Sequence, residues 1–155
     1  MEYAPVALFV YNRLSHTKQT VEALQANTLA KETRLVIFSD APREPVAEQA
    51  VNEVKTYIRS INGFKSITII ERDSNFGLAK SIIDGVSQLC TDYGQAIVLE
   101  DDLVTSPHFL SYMNQSLQRY ENEEQVMQIA GYMFPMSLKG LSEDSLFLPF
   151  ISSWG

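Results

Sequence analysis

The chain has 155 residues, 45% hydrophobic and 20% charged, which suits one globular domain with a sound core. Its net charge of −7 and pI near 4.8 argue against a nucleic-acid backbone or an anionic membrane surface as the main partner. A single cysteine, Cys90, leaves no internal disulfide and no thiolate zinc site.

No run approaches membrane-spanning length, and the start, Met1-Glu2-Tyr3-Ala4-Pro5, lacks the basic stretch of a secretory signal. A soluble, cytoplasmic protein without a transmembrane segment is expected. Strand-like and helix-like segments then alternate, the pattern of a mainly parallel α/β sheet with helices on both faces. Residues 6–11 read as a first strand. Ser15 is placed to cap a helix carrying Val21, Leu24 and Leu29. Residues 35–38 form the second strand, followed by Ala47, Val51, Val54, Tyr57 and Ile58 at helical spacing. The third strand is 67–70, and its helix carries Leu78, Ala79, Ile82, Ile83, Val86 and Leu89 on one face. Cys90 is expected to be buried beside them.

The fourth strand, 96–99, follows the glycine turn at Gly94 and stops at Glu100-Asp101-Asp102. Ser106-Pro107 marks a helix start, with Phe109, Leu110, Met113, Leu117 and Tyr120 on the inner stripe. Residues 126–130 read as a fifth strand and 146–151 as a sixth, separated by a polar loop over 136–145. Right-handed crossovers give the order 3-2-1-4 for the first four strands.

The strand ends carry the chemistry. Asn12-Arg13, Ser39-Asp40, Arg72-Asp73-Ser74-Asn75 and Glu100-Asp101-Asp102 all fall on the C-terminal edge of a parallel sheet, where open α/β sheets bind ligands. Three adjacent carboxylates repel one another unless a cation sits among them. Oxygen-only ligands suit a hard ion such as Mg²⁺ or Mn²⁺, with substrate phosphates completing its shell. His16 and His108 are expected to be exposed, and residues 121–124 to be a solvated helix end.

Four segments in order resemble a GT-A nucleotide-sugar glycosyltransferase of the family 2 and N-acetylglucosaminyltransferase I kind. They are Phe9-Val10-Tyr11-Asn12-Arg13, Phe38-Ser39-Asp40, Asn75-Phe76-Gly77-Leu78-Ala79, and Val98-Leu99-Glu100-Asp101-Asp102-Leu103 with Ser106-Pro107-His108-Phe109 behind it. The last is similar to that group's metal motif, in which Glu-Asp-Asp replaces Asp-x-Asp. The resemblance implies Asp102 as the metal ligand for Mn²⁺ or Mg²⁺. It implies that Asp101 and Glu100 reach ribose and donor-sugar hydroxyls. Arg13 and Asp40 would hold the nucleotide with Tyr11 beside them, Asp40 by accepting from base or ribose. Asn75, Gly77 and Lys80 would lie near the uracil or diphosphate. The implied donor is a UDP-sugar and the implied acceptor a carbohydrate or glycolipid.

Ser152-Ser153-Trp154-Gly155 resembles the start of that group's acceptor-side loop. The resemblance therefore implies that 1–155 is the donor-binding part of a single GT-A domain with its acceptor part missing. The catalytic base would lie beyond Gly155, and this part alone would be inactive. Phe147, Phe150, Ile151 and Trp154 would then form an exposed patch that drives self-association or leaves the tail poorly ordered. Three alternatives stand beside this reading. A Mg²⁺-binding signalling receiver would place its acids after the first strand, and a sugar nucleotidyltransferase would want glycines in Asn12-Arg13-Leu14-Ser15. A non-catalytic nucleotide-sugar-binding relative is the third.

Overall fold

The apolar run Val6–Val10 is buried on both faces (β1), as expected of a central strand in a parallel sheet. The computed structural model describes residues 2–132. After β1 come α1 (Leu14–Gln25), β2 (Arg34–Ser39), α2 (Glu48–Ile58), β3 (Ser66–Glu71), α3 (Leu78–Tyr93), β4 (Ile97–Glu100) and α4 (Phe109–Arg119). All pairings are parallel and the order is β3-β2-β1-β4, as the crossover rule predicts. Val6 pairs with both Leu35 and Ile97, so β1 sits at the centre.

Side chains alternate across the strands and divide the core in two. Val6, Leu8, Leu35, Ile37, Ile97 and Leu99 pack with residues of α1, α2 and α4. Ala7, Phe9, Val36 and Phe38 face α3. There the rings of Phe9 and Phe38 stack 4.9 Å apart with planes 12° from parallel. Gly85 crosses directly above them, where a Cβ would stand 2.9 Å from both rings.

That close crossing sets the rotation of α3 and corrects its expected inner face. Ser81, Gly85 and Leu89 are the buried line, with Ile82 and Val86 beside it. Leu78 and Ile83, expected inside, are 57% and 68% exposed. Cys90 is also exposed. It follows Leu89 by one residue, and about 100° of helical rotation carries it off the buried line. It should therefore react with a water-soluble disulfide reagent in the native protein about as readily as in urea. Protection in the native state would contradict this orientation.

Other boundaries shift for local reasons. Ser15 does not cap α1; Arg13 occupies that position, and the Thr17 N–H donates to its carbonyl at 2.9 Å. Tyr11 falls just beyond β1. Helix α4 begins two residues after Pro107, with the Phe109 N–H on the Ser106 carbonyl. Helix α3 ends on Gly94 at φ +78°, a left-handed cap whose N–H donates to the Cys90 carbonyl.

Residues 126–130 are not a strand. Met127 is 96% exposed and only Ile129 packs on the core, so that segment presents no repeating buried face for a ladder. His16, His108 and residues 121–124 are exposed, as expected. The expectations for 136–145, for 146–151 and for Phe147, Phe150, Ile151 and Trp154 lie outside the described residues. Among the described residues no helix is long and apolar enough to cross a membrane.

Candidate functional site

Because β1 and β4 are neighbours, the turns after them stand side by side. Arg13 reaches from one to the other. Its Nη2 and Nε pair with the two carboxylate oxygens of Asp101, the Nε at 3.4 Å, and its Nη1 is 3.0 Å from Asp102 Oδ2. The planar fork of arginine suits this two-point grip on a carboxylate. Asp101 is 3% exposed, and its backbone carbonyl accepts from Thr20 Oγ1 on α1 at 2.9 Å. Its hydrogen bond to Arg13, ahead of the attraction from both aspartates, raises the Arg13 pKa against the opposing effect of burial.

Glu100 and Asp102 flank this locked pair. Glu100 closes β4 in register with Phe9; its carbonyl accepts from the Leu103 N–H at 3.3 Å, while its carboxylate makes no hydrogen bond or ion pair among the described residues. Burial first, and then the charges of Asp102 and Asp101, push its pKa up, and Arg13 opposes them without cancelling them. Asp102 keeps 42% of its side chain exposed. Three carboxylates thus face one guanidinium. Among the described residues no three His, Cys, Asp or Glu side chains form a metal cage, because Asp101 turns away to Arg13. Asp102 is the most exposed of the three, Glu100 is half-buried and Asp101 is buried.

A second group forms where β2 and β3 meet the start of α3. Asp40 follows β2 directly, its N–H on the Val10 carbonyl at 3.3 Å. Its carboxylate accepts from the backbone N–H groups of Ala41, Phe76 and Gly77. Oδ1 is 3.0 Å from Ala41 N and 2.9 Å from Phe76 N, and Oδ2 is 3.2 Å from Phe76 N and 2.9 Å from Gly77 N. Asn75 Nδ2 donates to the Ala41 carbonyl at 2.7 Å, a second tie across the same gap. Gly77 has φ +72°, which a side chain would strain, and a Cβ there would meet open space. Lys80 Nζ lies 4.0 Å and Arg72 Cζ 4.6 Å from the centre of the Phe76 ring. Arg72 also pairs with Asp84, while its buried Nε has no hydrogen-bond partner among the described residues. Between the groups, Tyr11 OH accepts from the Arg43 N–H at 3.0 Å.

The structure thus brings Arg13, Asp101 and Asp102 into contact, with Glu100 beside them, and Asp40, Asn75, Gly77 and Lys80 into a second cluster. With strands about 4.8 Å apart, the ends of β2 and β4 stand roughly 10 Å from each other across β1, so both groups share one rim. Two of these carboxylates also have partners within the chain: Asp101 is buried against Arg13, and Asp40 accepts from backbone N–H groups. Arg72, Phe76 and Thr20 were missed as contributors. Arg72 was visible as a strand-end arginine, whereas nothing in the sequence marks Thr20. A separate open trough of about 910 Å³ between α1 and α2, lined by Leu14, Lys18, Glu48, Asn52 and Tyr57 among others, contains none of the expected site residues.

A parallel sheet of this order with an acidic turn after β4 is the architecture of GT-A glycosyltransferases. The sequence model of glycosyl transferase family 2 matches residues 6–137. The chain belongs to that family. Two solved structures share the fold. TarS of S. aureus aligns with TM-score 0.54 and 14% identity over 78% of this chain and 20% of its own. The mannosyltransferase PcManGT of Pyrobaculum calidifontis, solved with GDP-Man and Mn²⁺, aligns with TM-score 0.50 and 15% identity over 74% of this chain and 33% of its own. The chain therefore spans a fifth to a third of the length of these two proteins. No curated protein matches its sequence.

Proposed function

We propose that residues 1–155 are the donor-binding part of a metal-dependent glycosyltransferase, which holds a nucleotide-diphospho-sugar on this rim for transfer to an acceptor hydroxyl of a carbohydrate or glycolipid. The observation that carries the reading is the unbalanced acid after β4: Glu100, Asp101 and Asp102 against Arg13 alone. Such a site favours a cation, and a half-exposed Asp102 with no carboxylate cage fits one that arrives with a diphosphate. A Mn²⁺ or Mg²⁺ ion there neutralises negative charge developing on the departing nucleoside diphosphate.

Asp102 would hold that ion. Arg13, anchored on Asp101 through Nη2 and Nε, would turn Nη1 from Asp102 to a phosphate once the ion takes that carboxylate, with Tyr11 alongside. Glu100, whose carboxylate has no hydrogen-bond or ion-pair partner among the described residues, would accept from a hydroxyl of the ribose or donor sugar. Lys80 and the loop at Asn75 and Gly77 would line the nucleotide end. The sequence resemblance favours a UDP-sugar, and the Mn²⁺ and GDP-Man of the Pyrobaculum structure support a metal and a nucleotide-sugar on this fold while leaving the base to experiment.

Thermal melting with UDP, GDP, CDP and their sugars, with and without Mn²⁺, tests the reading. One nucleotide plus Mn²⁺ should raise Tm well above either alone, since only a bound native state gains from mass action. Asp102→Asn should remove the metal-dependent part and leave the Tm of the free protein unchanged. Equal nucleotide binding with and without metal, in both proteins, would refute the metal role. Absence of any shift across the panel would refute donor binding.

A further inference from the structure

Thr17 and Thr20 are both fully buried on α1, yet their hydroxyls go to different places. Thr17 Oγ1 donates back to the Arg13 carbonyl at 2.9 Å. Thr56 and Thr91 make the same turn-back bond within their own helices. Thr20 Oγ1 instead leaves its helix and donates to the Asp101 carbonyl, 81 residues further on, at 2.9 Å. Asp101 is therefore held twice, at its main chain by Thr20 and at its carboxylate by Arg13.

The carbonyl that Thr20 grips belongs to the peptide joining Asp101 to Asp102. A peptide is planar, so fixing the direction of that C=O also fixes the N–H and Cα of Asp102. We propose that Thr20 is a positioning residue for the metal: its hydroxyl ties the Asp101–Asp102 peptide to α1 and so sets where the Asp102 carboxylate stands beside Arg13. The tie exists without ligand, and its effect on metal affinity rests on the donor-binding reading above. A structural threonine and a positioning one predict different things. Loss of the first lowers Tm and leaves the bound metal alone. Loss of the second weakens the metal in molecules that are still folded.

Three measurements on the full chain decide this. Thr20→Val keeps nearly the same shape and removes the hydroxyl. Mn²⁺ titrations at saturating UDP, and again with GDP, can be followed by the electron spin resonance of the free ion. Half-occupancy in Thr20→Val should need roughly tenfold more metal, the low end for loss of a group that orients a metal ligand. Nucleotide affinity without metal should stay as in the wild type, and Thr20→Ser, which keeps the hydroxyl, should restore the Mn²⁺ midpoint. An unchanged midpoint in Thr20→Val, or an equal loss of nucleotide affinity with and without metal, would overturn the proposal. By NMR, the Arg13 Nε–H should be ordered in the wild type and in Thr20→Ser and gain nanosecond mobility in Thr20→Val. Equal order in all three would also overturn it. In the wild type the Thr20 hydroxyl proton should exchange slowly with water before any ligand is added; fast exchange would overturn the tie even if Thr20→Val does not fold. If the wild type binds neither nucleotide with Mn²⁺, donor binding fails, while the two NMR readouts still test the tie by themselves.

Discussion

Arg13→Met should unfold roughly 5–10 °C below the wild type, a loss of about 2–3 kcal/mol for a chain of this length. The mechanism is a stranded charge. Asp101 is buried and its carboxylate is paired with Arg13; a thioether of similar reach fills the space and leaves that charge uncompensated. Breaking a fully buried pair costs about 3–5 kcal/mol, and the figure here is reduced because Arg13 keeps 44% of its side chain in solvent. The double variant Arg13→Met, Asp101→Leu should recover much of the loss, because neither charge is then stranded. Urea denaturation of the two singles and the double measures the coupling. Additive effects would mean that the pair is no more than a surface contact.

The second large effect is at Gly85, and there the sign is the test. On helix propensity alone, Gly85→Ala should stabilise α3 by about 1 kcal/mol. We expect the reverse, a loss of about 1–2 kcal/mol, and about 3 kcal/mol for Gly85→Val, as for other overpacked cores. A Cβ at this position meets Phe38 Cζ and Phe9 Cε1 and Cζ at 2.9 Å, and those stacked rings have no free side to retreat to between sheet and helix. Pairing Gly85→Ala with Phe9→Leu should restore stability by making room. Should Gly85→Ala melt higher than the wild type, the crossing of α3 over the aromatic pair is looser than described.

The four-stranded sheet was legible because each strand is a short apolar run ended by polar residues, and parallel strands buried on both faces need no finer pattern. The acidic turn was legible for the same reason, since a strand end fixes which edge of the sheet it joins. Two features were not. The inner face of α3 was read from apolar residues, but its rotation is set by Gly85, and a glycine contributes nothing to an apolar stripe. Residues 126–130 look strand-like in composition, yet strand formation needs a partner edge and a repeating buried face that composition does not reveal. The surroundings of Asp40 and Asp101 were hidden for a related reason: residue type marks them as acceptors, and only the fold shows the backbone N–H groups and the Arg13 side chain that they meet.

The position of β1 has a consequence for the order in which the chain is assembled. Val6–Val10 is synthesised before the other described strands and can zip to β2 early, but its other flank waits for Ile97–Glu100. At roughly 5–20 residues per second, a bare apolar edge at the centre of the sheet stays open for seconds during synthesis. Such an edge is a template for wrong pairing, within the chain or with another nascent copy. The Arg13–Asp101 lock cannot close before β4 docks, so it acts as a latch on that late step. Variants that weaken it should show their defect first as aggregation during expression, before any defect appears in the purified protein.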